Sequence, residues 1–220
     1  MKKPNNIIIK FFIFLGFIIC FILYFTGILS FRKVLNNNNY PSLSKDDYVV
    51  YSNIIEPEIN DMIVFKDTNG YRISRLLGAH GDTIQIKDGV FYRNSKNMDK
   101  NLKLSRFYTG NKNELKNLRN LDESAILSTF IYGDSLLILT SDFVASSYEG
   151  LSKRINSDSF KDNLISKTFE KDWNFDQFGP IVIRESNFFL IGDNRVNAVD
   201  SRILGLAKNE DIIGVVLFKI

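Results

Sequence analysis

Short runs rich in β-branched or aromatic residues and bounded by turn residues recur along most of this chain, and they predict strands. "DYVVYS" (47–52), "DMIVF" (61–65) and "YRISRLLG" (71–78) are three such runs. "TIQIKDGVFY" (83–92) is two runs around Asp88-Gly89, a pair that tolerates positive φ and predicts a hairpin. "STFIYGDSLLIL" (128–139) predicts a second hairpin around Gly133-Asp134. Strands return in "PIVIRE" (180–185), "NFFLIGD" (187–193) and "IIGVVLFKI" (212–220). Two stretches switch to helical spacing. Leu115, Leu118 and Leu121 predict a short helix over 113–124, and Phe160, Leu164, Ile165 and Phe169 share one side of another within 157–173.

One apolar run is far longer. "FFIFLGFIICFILYFTGILSF" (11–31) is 21 residues without a charge. About 20 such residues cross the hydrocarbon core of a bilayer. A cleaved leader has a shorter core of roughly 7–15 residues and a small-x-small end, whereas this run ends "TGILSFRK". It is therefore expected to be a retained membrane anchor. Lys2, Lys3 and Lys10 precede it, Arg32 and Lys33 follow it, and this asymmetry favours a cytoplasmic N-terminus. No second run of this length follows, which places the remainder on the outer side. The expected organisation is a short N-terminal segment (1–10), the anchor (11–31), a discontinuous β-domain (34–94 and 180–220) and an inserted α+β cap (95–179). The fold class is mostly β.

Composition narrows the chemistry. A hydrophobic fraction of 45% with nineteen Phe and nine Tyr supports a sizeable core. A net charge of +3, with both signs interspersed, argues against nucleic-acid binding. The only cysteine is Cys20 and the only histidine is His80, which excludes an internal disulfide and any metal site with several Cys or His ligands. No metal and no cofactor are expected.

The densest polar stretch is "FFLIGDNRVNAVDSRILG" (188–205). From Gly192 to Arg202 it carries two Asp, two Asn, two Arg and a Ser. Such charges are costly to bury unless they bond one another. The plain reading is an ion-paired loop that fixes a turn. The sharper reading is a set of residues that orients a site.

"GDNRVNAVDSR" resembles the signature of the type I signal peptidases, G-D-N-R-x-x-S-x-D-S-R. Gly192, Asp193, Asn194, Arg195, Asp200, Ser201 and Arg202 match it, and Ala198 stands where that family has Ser. "ISRLLGAHGDTIQIKDGVFY" resembles the family's K-R-V-I-G-L-P-G-D block through Arg75, Gly78, Gly81 and Asp82. "NNYPSLSKDDYVV" resembles the S-M-x-P-T-L-x-x-G-D-x-V block through Pro41, Leu43, Asp47 and Val49. The likeness covers the anchor and both halves of the β-domain but not residues 95–180. It implies a membrane-bound serine endopeptidase fold that cuts signal peptides from secreted precursors, with a Ser-Lys dyad at its centre.

By register, however, Asn38 stands at the nucleophile's place, Ser74 at the general base's place and Ala198 at that of the serine supporting the base. An amide is no substitute for an activated hydroxyl, and a hydroxyl lacks the basic lone pair of a desolvated amine. Ser42 falls at the family's hydroxyl after the proline and reads as structural. Ser44 and Lys45 are adjacent and would point to opposite faces of a strand. His80 sits in a turn. Asn36 falls where some members place an oxyanion-binding hydroxyl and is a candidate carbonyl donor.

The resemblance therefore implies a single-pass protein of the cytoplasmic membrane, with its bulk outside, that retains the peptidase scaffold without the dyad. Its expected partners are the membrane and either signal peptides or an active signal peptidase. The alternatives are an active peptidase with a non-standard nucleophile and a purely structural envelope protein.

Overall fold

The computed structural model describes residues 6–111 and 126–220. The helix expected at 113–124 lies outside them. The apolar run forms helix α1 over Asn6–Phe25, shifted toward the N-terminus from the expected 11–31. Ile7–Phe25 is long and apolar enough to cross a membrane, and none of it is buried against the rest of the protein. The helix stops early because Gly27 adopts φ +72 and the Thr26 hydroxyl donates to the Ile22 carbonyl at 2.7 Å. Ser30–Lys33, at the end of the same apolar run, leaves the helix and becomes strand β1.

The molecule is mostly β, in three antiparallel sheets. The first contains β1, β2 (Tyr48–Ser52), β3 (Met62–Asp67), β4 (Gly70–Gly78), β13 (Asn187–Ile191), β14 (Ala207–Lys208) and β15 (Ile212–Lys219), in the order β1-β2-β15-β3-β4-β13-β14. Strands from the two ends of the outer chain thus interleave. The second joins β5 (Thr83–Lys87), β6 (Val90–Arg93), β7 (Lys96–Asn97) and β12 (Phe178–Val182), in the order β12-β5-β6-β7. The third joins β8 (Ser105–Asn111), β9 (Ile126–Tyr132), β10 (Ser135–Ser141) and β11 (Ser152–Lys153), in the order β11-β8-β10-β9. Both expected hairpins are present, turning at Asp88-Gly89 and Gly133-Asp134, with Asp88 and both glycines at positive φ.

The helix expected within 157–173 covers Asn163–Phe169 only. Asp162 accepts from the Leu164 and Ile165 amides and sets its start, and Glu170 at φ +55 ends it. Its Ile165 is buried in a core with Leu77, Ile84, Ile86, Phe91, Phe178, Phe189 and Ile191. Phe178 meets Phe169, Trp173 and Phe189 at ring separations of 4.9, 4.8 and 5.7 Å. A second core under β2 and β4 gathers Val34, Leu43, Val49, Tyr51, Val64 and Ile73. These two cores hold the segments that meet at the candidate site.

Candidate functional site

Three segments converge. The loop from Val34 to Asp47 follows β1, Ser74 and Arg75 lie in the middle of β4, and the loop from Gly192 to Ser201 follows β13. The first and third are joined through backbone. The Asn194 amide donates to the Asn38 carbonyl at 3.0 Å, and the Asn194 side chain donates to the Asn37 carbonyl at 3.1 Å. Only glycine fits at 192, since a Cβ there would lie 2.3 Å from the Ala198 Cβ and 2.5 Å from the Asn38 carbonyl oxygen. Asn38 and Ala198 therefore both close in on the space where a side chain at 192 would lie. On the other flank the Asn39 side chain donates through its Nδ2 to the Ile73 carbonyl at 2.6 Å, which brings the loop against β4 next to Ser74.

The side chains at 38, 74 and 198 are an amide, a hydroxyl and a methyl. Asn38 is buried, and its backbone N–H donates to the Asn36 side-chain oxygen at 3.1 Å. Asn36 is therefore an acceptor in that bond, and it occupies the amide of residue 38. Ser74 is fully buried, and its hydroxyl has no hydrogen-bond partner. The Asn39 side-chain oxygen is likewise buried and unpartnered. Orphaned polar atoms of this kind are uncommon in folded proteins and cost about 1–3 kcal/mol each.

The charged residues of 192–202 bond one another and their neighbours. Arg75 grips Asp193 with two bonds of 2.8 and 2.6 Å, and the Ser42 hydroxyl donates to the same carboxylate at 2.5 Å. Ser42 thus joins the same ion pair, its hydroxyl also accepting from Arg75 at 3.4 Å. Arg202 binds Asp200 through bonds of 2.9 and 2.6 Å and donates to the Arg195 carbonyl at 2.6 Å. Asp200 also accepts from the Gly192 amide at 2.9 Å, and the Ser201 hydroxyl accepts from the Leu190 amide at 2.9 Å. Asp200 and Arg202 have no exposed side-chain surface.

Arg195 reaches a residue that sequence reasoning did not single out. It binds Asp99 through bonds of 2.8 and 2.6 Å, and Asp99 also accepts from Arg106 at 2.7 Å. Ser105 donates its amide to the Asp193 carbonyl, and its own carbonyl accepts from the Arg195 amide, both at 3.0 Å. The start of β8 is thereby stitched to the loop. Burial pushes the Arg195 guanidinium down from its usual range, and the Asp99 charge opposes this. No local spacing announces Asp99 or Arg106, since both lie beyond the stretches carrying the resemblance.

The other candidates stay apart. His80 is exposed in the turn between β4 and β5. The Ser44 amide donates to Asp47 and the Lys45 amide to Asn37, and the Lys45 side chain is exposed. Among the described residues, no group of His, Cys, Asp and Glu is placed to hold a metal.

A cleft of about 460 Å³ runs up to this cluster. One wall is β1 and the segment after it, from Phe31 to Asn36; the other is Tyr71, Arg72 and Ile73 of β4. Among the described residues β1 is an edge strand, paired only with β2. β4 pairs with β3 along its length but with β13 only at Arg75, Leu76 and Gly78. The side of β4 around Tyr71–Ile73 is therefore a second free edge among the described residues. The Asn39 bond shows that the Ile73 carbonyl points toward the loop, and alternation along the strand turns the Tyr71 backbone the same way.

Comparison with known proteins gives concordant relatives. The chain is 27% identical over 185 residues to signal peptidase I of Buchnera aphidicola subsp. Baizongia pistaciae (strain Bp), covering 74% of this chain and 54% of that one. It is 24% identical over 180 residues to signal peptidase I S of Bacillus subtilis (strain 168), covering 80% and 67%. A 65-residue stretch is 42% identical to signal peptidase I P of Bacillus subtilis subsp. natto, covering 29% and 35%. The chain thus spans from about a third to two thirds of these curated relatives. The crystal structure of a signal peptidase I from Enterococcus faecalis V583 superposes with a TM-score of 0.38 at 17% identity, covering 74% of this chain and 99% of that one. The family described as signal peptidase, peptidase S26, matches residues 6–220, and the chain belongs to it.

Proposed function

We propose that this protein is a membrane-anchored member of the signal peptidase family that keeps the peptide cleft and lacks hydrolytic activity. The observation that carries the reading is the buried Ser74 hydroxyl, unpartnered in the middle of β4 where the family resemblance places the general base. With no amine there, and with Asn38 at the nucleophile's place, the site has neither half of a dyad. Loss of nucleophile or base from a serine protease costs on the order of 10⁶ in turnover.

The cleft supports retention of peptide binding. Two free strand edges face it, and an extended peptide lying between them would pair with main-chain groups on either side. Its partners are then signal peptides of secreted precursors, with an active signal peptidase as the alternative partner. The protein acts at the cytoplasmic membrane, with the segment before α1 inside and the β-domain outside.

The test is incubation of the full chain in detergent with a secretory precursor, alongside photocrosslinking of a signal peptide. The expected result is no processing, with crosslinks to 31–36 and 71–73. Processing that is abolished by Ser42→Ala or Ser44→Ala would overturn the reading in favour of an active peptidase with a non-standard nucleophile. Absence of both processing and crosslinks would leave a structural envelope protein.

A further inference from the structure

The walls of the cleft contain three cations, Arg32, Lys33 and Arg72, and no acidic residue. Two of the three are compensated from outside it. Lys33 pairs with Asp46 at 2.7 Å, and Arg72 pairs with Asp67 at 2.5 Å. Arg32 has no ion pair among the described residues. Its guanidinium carbon lies 3.8 Å from the centre of the Tyr71 ring, so it reaches from β1 across to β4. Its Nε is enclosed and has no hydrogen-bond partner. A cation stacked on an aromatic face is held in a fixed plane, and the planar fork of arginine matches a carboxylate in two parallel bonds. Phe31, Val34, Leu35 and Ile73 supply apolar wall around it, where a charge-assisted bond is less screened than in open water.

We infer that the cleft between β1 and β4 takes an extended peptide segment bearing a carboxylate side chain, and that Arg32, braced on Tyr71, is the residue that selects it. This rests on the peptide-cleft reading above and adds the chemical class of the ligand. An anionic lipid headgroup is the competing occupant, because Arg32 follows closely on the apolar helix. The cleft geometry favours the peptide. Lys33 and Arg72, which a headgroup would also need, are already paired, and the walls present strand edges.

The experiment uses the full chain in neutral detergent and short, terminally blocked peptides in matched sets with one Glu or one Gln at each position, read by surface plasmon resonance. At its best position the Glu peptide binds about tenfold or more tightly than its Gln counterpart. Arg32→Gln lowers the Glu peptide to the Gln level without weakening the Gln peptide, and Arg32→Lys restores part of the difference. Equal binding of Glu and Gln peptides to the unaltered protein overturns the carboxylate selection and leaves the peptide cleft standing. No binding of either overturns both. If Arg32→Gln abolishes binding to phosphatidylglycerol vesicles while the Glu preference persists, the cation serves lipid and the inference is overturned. The first comparison needs no variant, so a folding defect at position 32 does not mask it.

Discussion

Asn38 and Asn194 are joined through backbone, the amide of the second donating to the carbonyl of the first at 3.0 Å. The contact ties the loop after β1 to the loop after β13, and it does not depend on either side chain. The shape of the site at this point therefore does not rest on the Asn38 side chain. Around it the close approach at Gly192 and the Asp193, Asp200 and Asp99 pairs hold the same geometry.

Gly192→Ala should destabilise the fold and push the loop away from Asn38. The new methyl would meet backbone at 2.5 Å and a buried methyl at 2.3 Å, and overpacking of this kind costs about 1–3 kcal/mol. Urea unfolding of the purified chain reads the loss. A midpoint unchanged from that of the unaltered protein would contradict the tight packing of 192 against 38 and 198.

Arg75 and Ser42 make contrasting contributions to one carboxylate. Arg75→Met leaves Asp193, which is 1% exposed, without its cation, a loss of about 3–5 kcal/mol. Ser42→Ala removes one bond to the same charge and costs about 1.5–3 kcal/mol. Adding Asp193→Asn to Arg75→Met should recover part of the loss, because the uncompensated charge is then gone. A thermal-unfolding double-mutant cycle measures this coupling.

Ser74→Lys and Ala198→Ser should be coupled favourably. Each alone places an unsatisfied polar group in a fully buried position, and an unpaired hydroxyl at 198 costs about 1–3 kcal/mol. Together the hydroxyl and the amine can bond each other. Adding Asn38→Ser to the pair rebuilds the family's full set, and measurable precursor cleavage is expected from the triple variant but from none of the single ones. A folded triple variant without activity would mean that the cleft no longer presents a scissile bond.

Tyr108 should resist ionisation. Its hydroxyl donates to Asp142 at 2.7 Å, and burial, reinforced by the Asp142 charge, pushes the phenol well above its ordinary value of 10.0. The folded state then holds the proton more tightly than the unfolded chain. The contribution to stability is complete below pH 10.0 and is lost as the pH rises from there toward the folded value. A spectroscopic titration should find one of the nine tyrosines still neutral after the exposed ones have ionised, and Tyr108→Phe should remove that late step.

Much of the strand pattern was legible from sequence, because β-branched and aromatic runs and the turn pairs Asp88-Gly89 and Gly133-Asp134 are local signals. The ends of the anchor were not. Hydropathy cannot separate the apolar residues of α1 from Phe31, which belongs to β1 because Gly27 breaks the helix and β2 offers an edge. The cap helix was overextended for a similar reason. Periodicity does not see that Asp162 caps it and that Glu170 ends it.

For the site, the sequence alone determined the chemistry that is present and absent. Asn38 and Ala198 bring no hydroxyl or amine, and Ser74 brings a hydroxyl but no amine, wherever they lie, because reactivity belongs to the functional group. It also announced the ionic loop, since charges at such density must pair when buried. Only the tertiary structure decided which partners they take. Asp99 meets Arg195 across 96 residues, the Ser42 hydroxyl goes to Asp193, and Arg32 crosses a cleft to Tyr71. Those pairings follow from how antiparallel sheets fold back on themselves, which no spacing along the chain records.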